Sequence, residues 1–264
     1  MPDDDLSRIW SELSFMTPDT GAHLARTIML AELTTLLTQL PATASHDDYR
    51  KAVLVENVLA KPTASARRHC AKPLLRLYGF DPDLTLFRVL RALWDRDAAG
   101  RPLLAMLCAL ARDPLLRESA EPVLSLRPGE SIAAATIEAA FSAAHPDRFG
   151  AETLQALASR LLSSWGQSGH LAGRSTRHRV LVVPTFGAVA YAVLLGFIEG
   201  RRGQLLFESL WARTLDAPTY VLLELAQVAA RQGLLAFKKG GGVVEADPWP
   251  LLTDRERKVL GEPH

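Results

Sequence analysis

Two short basic segments contain the residues of this sequence whose type and spacing could do chemistry, and that chemistry is contact with phosphate. The first carries Arg174, Arg177 and Arg179, and the second carries Lys238 and Lys239 directly before three glycines. Each segment follows a predicted amphipathic helix and has the pattern of a hairpin. Guanidinium and ammonium groups on a hairpin can reach the phosphate oxygens of a nucleic acid. Both segments therefore predict nucleic-acid contacts.

This pattern of a helix followed by a hairpin occurs twice in the C-terminal half. In the first copy a helix over residues 154–167 precedes a hairpin over residues 169–184, and in the second a helix over residues 220–232 precedes a hairpin over residues 233–245. A helix followed by a basic hairpin is the outline of a winged helix, whose helix enters the roughly 12 Å major groove of a duplex. The alternative is an ordinary packing unit without a nucleic-acid partner.

The helix over residues 151–167, which includes the first of these copies, is a candidate recognition helix. Its expected exposed positions are Thr153, Arg160, Ser164 and Gln167. Side chains of these types can contact base edges or phosphate oxygens. Arg160 is therefore also predicted to contact DNA.

A third group of cations lies on a predicted helix over residues 64–78. Arg68, Lys72 and Arg76 are spaced by four residues, so they share one helical face, and Arg67 is adjacent to it. The opposite side of this helix is apolar. Such a helix can pack its apolar side on a scaffold and present its cations to bases or phosphates.

This helix would be the second helix of a helix-turn-helix candidate over residues 49–79. Residues 60–62 predict a tight break between the two helices, and Thr63 or Ser65 can cap the second one. Lys61 and Thr63 lie at the start of the basic helix. We therefore include both in the predicted DNA-binding surface.

Pro73 lies in the middle of the same basic helix. A proline inside a helix removes one hydrogen bond and costs about 3 kcal/mol. The sequence therefore predicts either a kink at Pro73 or two short helices that meet there.

The composition predicts a mostly α-helical chain with short β-hairpins. Alanine, leucine and arginine dominate, whereas runs of β-branched residues are scarce. A length of 264 residues with 48% hydrophobic content gives room for two domains. The turn-rich segment 121–130 predicts the boundary between them. The N-terminal helical domain would be residues 1–120, with the helix-turn-helix candidate, and the C-terminal helical domain residues 121–264, with two winged-helix-like units.

Charge and cysteine usage limit the class of protein. The net charge is only +1, so any polyanion must be bound by local patches. Cys70 and Cys108 are isolated, which excludes a disulfide framework and fits a reducing cytosol. The acidic run at residues 3–5 indicates that no export peptide is present.

One uncharged segment, residues 180–198, is long enough to suggest a membrane span. Pro184 and Thr185 divide it into a short strand and the start of a helix, and the arginines on its two flanks show no asymmetry that would orient a span. We therefore expect a buried helix, no membrane partner and a cytoplasmic location.

Sequence patterns typical of enzymes are absent from the 264 residues. There is no HExxH, no GxxxxGK[ST] or GxGxxG loop and no GxSxG elbow. Acid pairs such as Asp47 with Asp48 fall in a polar link, where solvated side chains are expected. The sequence therefore predicts a protein that is not an enzyme and that needs no cofactor or metal.

Several short segments between residues 49 and 246 carry a resemblance to a known family. They are Asn57–Thr63 followed by Arg67-Arg68, the corner Leu77–Pro82, Arg101–Ala105 with Arg112–Pro114, and Ser163–Gly169. With this order of elements, the chain resembles the BrxA-like proteins of BREX phage-defence systems. Pro73 and a longer N-terminal leader depart from the pattern of that family.

The resemblance implies a small, helical, non-catalytic protein that binds double-stranded DNA. It also implies that the protein acts in phage restriction beside a methyltransferase, an ATPase and a phosphatase-like component. The resemblance also implies a soluble protein, which agrees with a buried helix over residues 180–198.

Two other functions fit the same basic surfaces. One is an RNA-binding protein of the helical antitermination type, although readers of single-stranded RNA usually expose aromatic side chains for stacking. The larger aromatic residues here fall instead at apolar helical positions: Trp94, Phe141, Trp165, Tyr191, Phe207 and Trp211. The other is a protein-only adaptor, which would retard no nucleic acid at about 50 mM salt.

Overall fold

The computed structural model describes Ile9, Leu13 and residues 22–174 and 176–261. The acidic run at residues 3–5 lies outside the described residues. The chain is mostly helical with small antiparallel sheets, as its composition predicts. No helix in the described part is long and apolar enough to cross a membrane.

The helices and strands are numbered here in chain order. The α-helices are α1 (Leu30–Gln39), α2 (His46–Leu54), α3 (Ala64–Tyr78), α4 (Thr85–Arg96), α5 (Arg101–Arg112), α6 (Pro114–Glu118), α7 (Ala120–Leu124), α8 (Ala134–Ala144), α9 (Ala151–Gln167), α10 (Phe186–Ile198), α11 (Leu210–Arg213), α12 (Thr219–Arg231) and α13 (Asp254–Leu260). The strands are β1 (Ser131–Ile132), β2 (Leu171–Ala172), β3 (Arg177–Arg179), β4 (Ala236–Gly240) and β5 (Val243–Asp247). Short 3-10 helices cover Ala22–Leu24, Gly203–Glu208 and Trp249–Leu251.

Two compact units share the chain, and each is built from separate stretches. The first contains Met1–Thr17, Asp81–Ala111 and Val183–His264, and the second contains Pro18–Phe80 and Arg112–Val182. The boundary expected at residues 120 and 121 falls inside the second unit. Segment 121–130 is held there because Gly129 N–H donates to the Arg179 carbonyl at 2.9 Å and Arg179 N–H donates to the Glu130 carbonyl at 2.8 Å.

In the second unit, α9 and a three-stranded antiparallel sheet form the part that includes the first predicted hairpin. The strand order is β1-β3-β2, so β3 is the central strand. Helix α9 packs against α8 and buries its apolar side chains, including Trp165. The Trp165 indole donates to Ser119 Oγ at 2.8 Å, which satisfies its buried N–H group.

The helix-turn-helix candidate differs from its prediction in the connection. Helix α2 ends at Leu54, so nine residues, 55–63, separate it from α3 instead of a three-residue break. Asn57 closes this loop, because its side chain accepts from Lys61 N–H at 2.8 Å and donates to the Lys61 carbonyl at 3.0 Å. The connection is therefore an ordered loop and not a tight turn.

Helix α3 itself begins and ends where the sequence predicts. Thr63 is its N-cap and accepts from Ala66 N–H at 3.0 Å, and Gly79 ends it with a φ of 78°. The alternative of two short helices that meet at Pro73 is wrong, because α3 runs continuously across this residue. Pro73 is buried with the apolar side of the helix, where packing offsets the lost hydrogen bond.

In the first unit, α10 is the buried helix predicted within residues 180–198. Its residues from Gly187 to Ile198 are all buried, and α10 packs against α11 and α12. Thr185 caps it by accepting from Ala188 N–H at 3.3 Å. The segment Val180–Pro184 forms no strand, whereas a returning strand was expected there.

Two glycines surround a buried carboxylate at the start of α10. Asp97 Oδ2 accepts from Thr185 Oγ1 at 2.5 Å and from Gly187 N–H at 3.0 Å, and Asp97 Oδ1 accepts from Gly100 N–H at 3.1 Å. A Cβ atom at Gly187 would lie 2.5 Å from Asp97 Oδ2. The chain therefore needs glycine at this position to approach the carboxylate.

We expect Gly187→Ala to lower the free energy of unfolding by about 2 kcal/mol, because the added methyl group displaces the Asp97 carboxylate from its donors. Urea unfolding measures this loss. Gly196→Ala in the same helix is the matched control, since its Cβ would approach nothing more closely than Leu206 Cδ2, at 3.2 Å, and would displace no buried carboxylate. Equal losses in the two variants would contradict the role given to Asp97.

Candidate nucleic-acid interface

The cationic face of α3 is presented to solvent. Arg68 and Lys72 are exposed, and neither side chain has a hydrogen-bond or ion-pair partner among the residues that the structure describes. Arg67 and Arg76 are half-buried beside them. The helix contains no acidic residue. Arg68 and Lys72 are therefore exposed opposite an apolar side, as predicted, whereas Arg76 on the same face is half-buried.

Two predicted contact residues before α3 have structural partners. Lys61 Nζ lies 3.0 Å from Glu32 Oε1, and both side chains are about one quarter exposed. Thr63 is exposed, but its hydroxyl oxygen is used as the N-cap of α3. Because this ion pair is largely buried, Lys61 is engaged with Glu32 and must exchange this carboxylate for a phosphate if it contacts DNA.

The loop between β2 and β3 brings Arg174 to the surface. Arg174 is exposed and has no partner among the described residues. Arg177 is half-buried, and a Cβ atom at Gly166 would lie 2.7 Å from its Nη1 atom. The Arg177 guanidinium thus lies against the last turn of α9, where the helix dipole favours a cation.

Arg179 is not a surface cation, and its predicted DNA contact is wrong. It is 2% exposed, and its Nη1 donates to the carbonyl of His170 at 3.2 Å and to the carbonyl of Val180. The reason is the position of β3 between β1 and β2, which places Arg179 within the sheet and not in a turn. Its role is to satisfy backbone carbonyls inside the second unit.

Helix α9 presents a different face from the one predicted. Of the four expected positions only Thr153 is exposed; Ser164 is buried, and Arg160 and Gln167 are half-buried. Arg160 Nη1 donates to the Leu24 carbonyl at 2.7 Å, and Gln167 Oε1 accepts from Leu30 N–H at 3.0 Å. The segment from Leu24 to Leu30 therefore covers this face of α9, and the Arg160 side chain is engaged in binding that segment.

A buried network of His23, Asp113 and Ser164 underlies this contact, and sequence reasoning missed it. His23 Nδ1 lies 2.8 Å from Asp113 Oδ2, and His23 Nε2 lies 2.8 Å from Ser164 Oγ. The three residue types match those of a hydrolytic triad, but all three are fully buried. Ser164 Oγ also donates to the Arg160 carbonyl at 2.9 Å and accepts from Ile28 N–H at 3.0 Å. The network is therefore a structural connection.

The Asp113 carboxylate is the centre of that network. Its Oδ1 caps α6 by accepting from Leu115 N–H at 3.0 Å, and its Oδ2 also accepts from His23 N–H at 3.0 Å. Burial acts to raise the pKa of Asp113, but the hydrogen bonds and charge of His23 outweigh burial and hold this pKa below its ordinary value. The carboxylate is thus ionised at neutral pH.

The second predicted basic hairpin lies in the first unit. Strands β4 and β5 pair in register from Ala236 with Asp247 to Gly240 with Val243. Gly241 and Gly242 form the turn with φ values of 57° and 82°, as a two-residue type I′ hairpin requires.

Lys238 and Lys239 are both exposed on β4. Lys238 faces Glu245 across the ladder, whereas Lys239 faces Val244. The two lysines remain candidates for phosphate contacts.

Within residues 22–174 and 176–261, together with Ile9 and Leu13, no group of three or more His, Cys, Asp or Glu side chains could hold a metal ion. The free cysteines Cys70 and Cys108 are buried. No family model matches this chain, and no curated protein is significantly similar to it in sequence.

Proposed function

We propose that this protein binds double-stranded DNA, without catalysis, as a component of a BREX-type phage-defence system. The observation that carries the proposal is that Arg68, Lys72 and Arg174 are exposed in the second unit with no carboxylate partner among its described residues. Cations that are not neutralised by the protein are available to neutralise phosphates and to release counterions.

The order of elements in residues 120–179 supports a winged-helix unit. Helix α7 is followed by β1, then by α8 and α9, and finally by the hairpin of β2 and β3. In a winged helix the first strand pairs with the last one, which gives the sheet order β1-β3-β2 found here. Arg174 then lies at the tip of the wing.

A second unit of this type is supported by residues 186–247. Helices α10, α11 and α12 precede the hairpin of β4 and β5, which carries Lys238 and Lys239. The element order matches the first copy except that no strand precedes α11 within this range. The helix-turn-helix reading of α2 and α3 has less support, because its nine-residue connection exceeds the usual three or four residues.

Membership of a defence system follows from the resemblance of residues 49–246 to BrxA-like proteins. Under this proposal the partners are a methyltransferase, an ATPase and a phosphatase-like component encoded beside the gene. Co-purification of a tagged chain from cells that express the neighbouring genes tests this part of the proposal separately from DNA binding.

Burial of the aromatic residues favours a duplex over single-stranded RNA. Each of the six aromatic side chains that the sequence places at apolar helical positions is buried. Stacking on such rings supplies much of the affinity of single-strand readers. These six rings therefore offer no stacking surface, whereas exposed cations can follow a duplex backbone.

A competition experiment tests the nucleic-acid class. A fluorescent duplex DNA is bound to the protein at about 50 mM salt, and unlabelled duplex DNA or structured RNA is added at equal phosphate concentration. We expect the duplex DNA to displace the probe at a lower concentration than the RNA. Stronger competition by RNA would favour the antitermination-like function, and no binding of the probe would favour a protein-only adaptor.

A further inference from the structure

Helix α12 carries one solvent-exposed stripe of polar side chains. Tyr220, Glu224, Gln227 and Arg231 are spaced by four, three and four residues, so they share one helical face. All four are exposed, and Tyr220 is 63% exposed. None of the four side chains has a hydrogen-bond or ion-pair partner among the described residues. The stripe is thus free to contact another molecule.

The opposite side of α12 is fixed in the core of the first unit. Leu222, Leu223, Ala226 and Ala229 are buried, and α12 packs against α10. Because one side is held and the other is free, the helix can enter a groove without a change in its own packing.

The hairpin with the lysines follows α12 directly and is held against it. Gly233 ends the helix with a φ of 70°, and Leu234 N–H donates to the Ala229 carbonyl at 2.9 Å. Strand β4 contacts α12. The cations Lys238 and Lys239 therefore lie on an element whose position relative to the stripe is set by the fold.

The two copies of the helix and hairpin pattern differ at this point. In α9 the face that contains Arg160, Ser164 and Gln167 is covered by residues 24–30, and these side chains bond to that segment. In α12 no described residue bonds to the stripe side chains. Helix α12 thus keeps a free polar stripe along its whole length next to a basic hairpin, whereas in α9 the side chains of Arg160, Ser164 and Gln167 are taken up by the covering segment.

We propose that the stripe of Tyr220, Glu224, Gln227 and Arg231 reads base edges in the major groove and gives the protein a DNA sequence preference. This inference rests on the proposed function, since it requires duplex binding. Glutamine can bond to the N6 and N7 atoms of adenine, arginine to the O6 and N7 atoms of guanine, and glutamate can accept from the N4 group of cytosine. The tyrosine ring can contact a thymine methyl group or donate its hydroxyl to a phosphate.

Glu224 distinguishes base reading from general phosphate binding. A carboxylate in the middle of a surface that meets DNA repels phosphates, so it weakens binding to sequences in which it finds no donor. A helix that only followed the backbone would gain from a neutral or basic residue there. Lys238 and Lys239 supply the phosphate contacts, and the stripe selects the sequence.

Selection from a pool of randomised duplexes tests the proposal. We expect the parent protein to enrich a short motif, and we expect the double variant Gln227→Ala with Arg231→Ala to lose its discrimination between that motif and a random duplex by about 10-fold or more. The double variant also loses one positive charge, that of Arg231. Once this loss is allowed for, we expect its affinity for the random duplex to stay within about 3-fold of that of the parent. Glu224→Gln is expected to bind the random duplex more tightly while it discriminates less.

Gln155→Ala is the matched control, because Gln155 is an exposed glutamine on α9, outside the stripe. We expect this variant to keep the motif of the parent. The inference is overturned if the parent binds duplexes but enriches no motif, or if the double variant keeps the motif. If the parent binds no duplex at all, the proposed function fails, and the two failures are thereby distinguished.

Discussion

Replacement of Arg68, Lys72 and Arg174 by alanine is expected to weaken binding to duplex DNA by about 100-fold at about 0.15 M salt. Each phosphate contact contributes about 0.9 to the slope of log K against log salt concentration, so three lost contacts account for about two decades of affinity. The three side chains are exposed and lack partners among the described residues, so their removal leaves the fold intact. Fluorescence anisotropy with a labelled duplex measures the change.

A matched triple variant separates a local contact from the effect of overall charge. Arg26, Arg50 and Lys51 are also exposed and belong to the same unit, so alanine at these positions removes the same formal charge. We expect the affinity of this control to stay within about 3-fold of the parent. Equal weakening by both triple variants would mean that net charge and not the surface of α3 and the β2–β3 loop determines binding.

Asp113→Ala is expected to lower the free energy of unfolding by about 3 to 5 kcal/mol. This change leaves His23 buried without its carboxylate partner and removes the N-cap of α6. Urea unfolding followed by circular dichroism measures the loss. A loss below about 1 kcal/mol, typical of an exposed pair, would contradict the structural role given to the network.

The same carboxylate predicts an acid dependence of stability. The pKa of Asp113 is lower in the folded protein than its ordinary value, so the folded state favours the ionised form. Its contribution is therefore fully present at neutral pH and is lost as the pH falls below about 4 and through the folded pKa. We expect Asp113→Asn, which keeps the shape of the side chain, to unfold with a weaker pH dependence in this acid range than the parent. If the free energy of unfolding of Asp113→Asn falls with decreasing pH as steeply as that of the parent, the acid dependence is not due to Asp113.

Local signals predicted the parts of the fold that depend on neighbours in sequence. The start of α3 at Thr63 and its end at Gly79 follow from a capping hydroxyl and a glycine. The buried helix α10 and the glycine turn between β4 and β5 follow in the same way from apolar content and turn residues. These features were predictable because each is determined within a few residues of the chain.

Features that depend on distant residues were not predictable from patterns. Arg179 was expected on a hairpin surface, but it is buried because Ser131 pairs with His178 and makes β3 a central strand. Ser164 was expected to be exposed, but it bonds to His23 and to Ile28 N–H. No local signal in the sequence marks either contact.

The candidate binding surface contains features that were predictable from neighbouring residues and features that depend on distant ones. The helical spacing of Arg68 and Lys72 predicted a common face, and the structure presents both to solvent. The polar stripe of α12 was not predicted, because only the structure distinguishes its free face from the covered face of α9. Coverage depends on which segment packs there, and that segment is remote in the chain.

The salt dependence of duplex binding tests the central claim most directly. Dissociation constants of the parent and of the variant with alanine at residues 68, 72 and 174 are measured from about 50 mM to about 200 mM salt. We predict that the logarithm of the parent's association constant, the inverse of the dissociation constant, falls linearly with log salt concentration, and that the slope of the variant is smaller in magnitude by about 2.7. Parallel lines for the two proteins would contradict the claim that these cations meet phosphates.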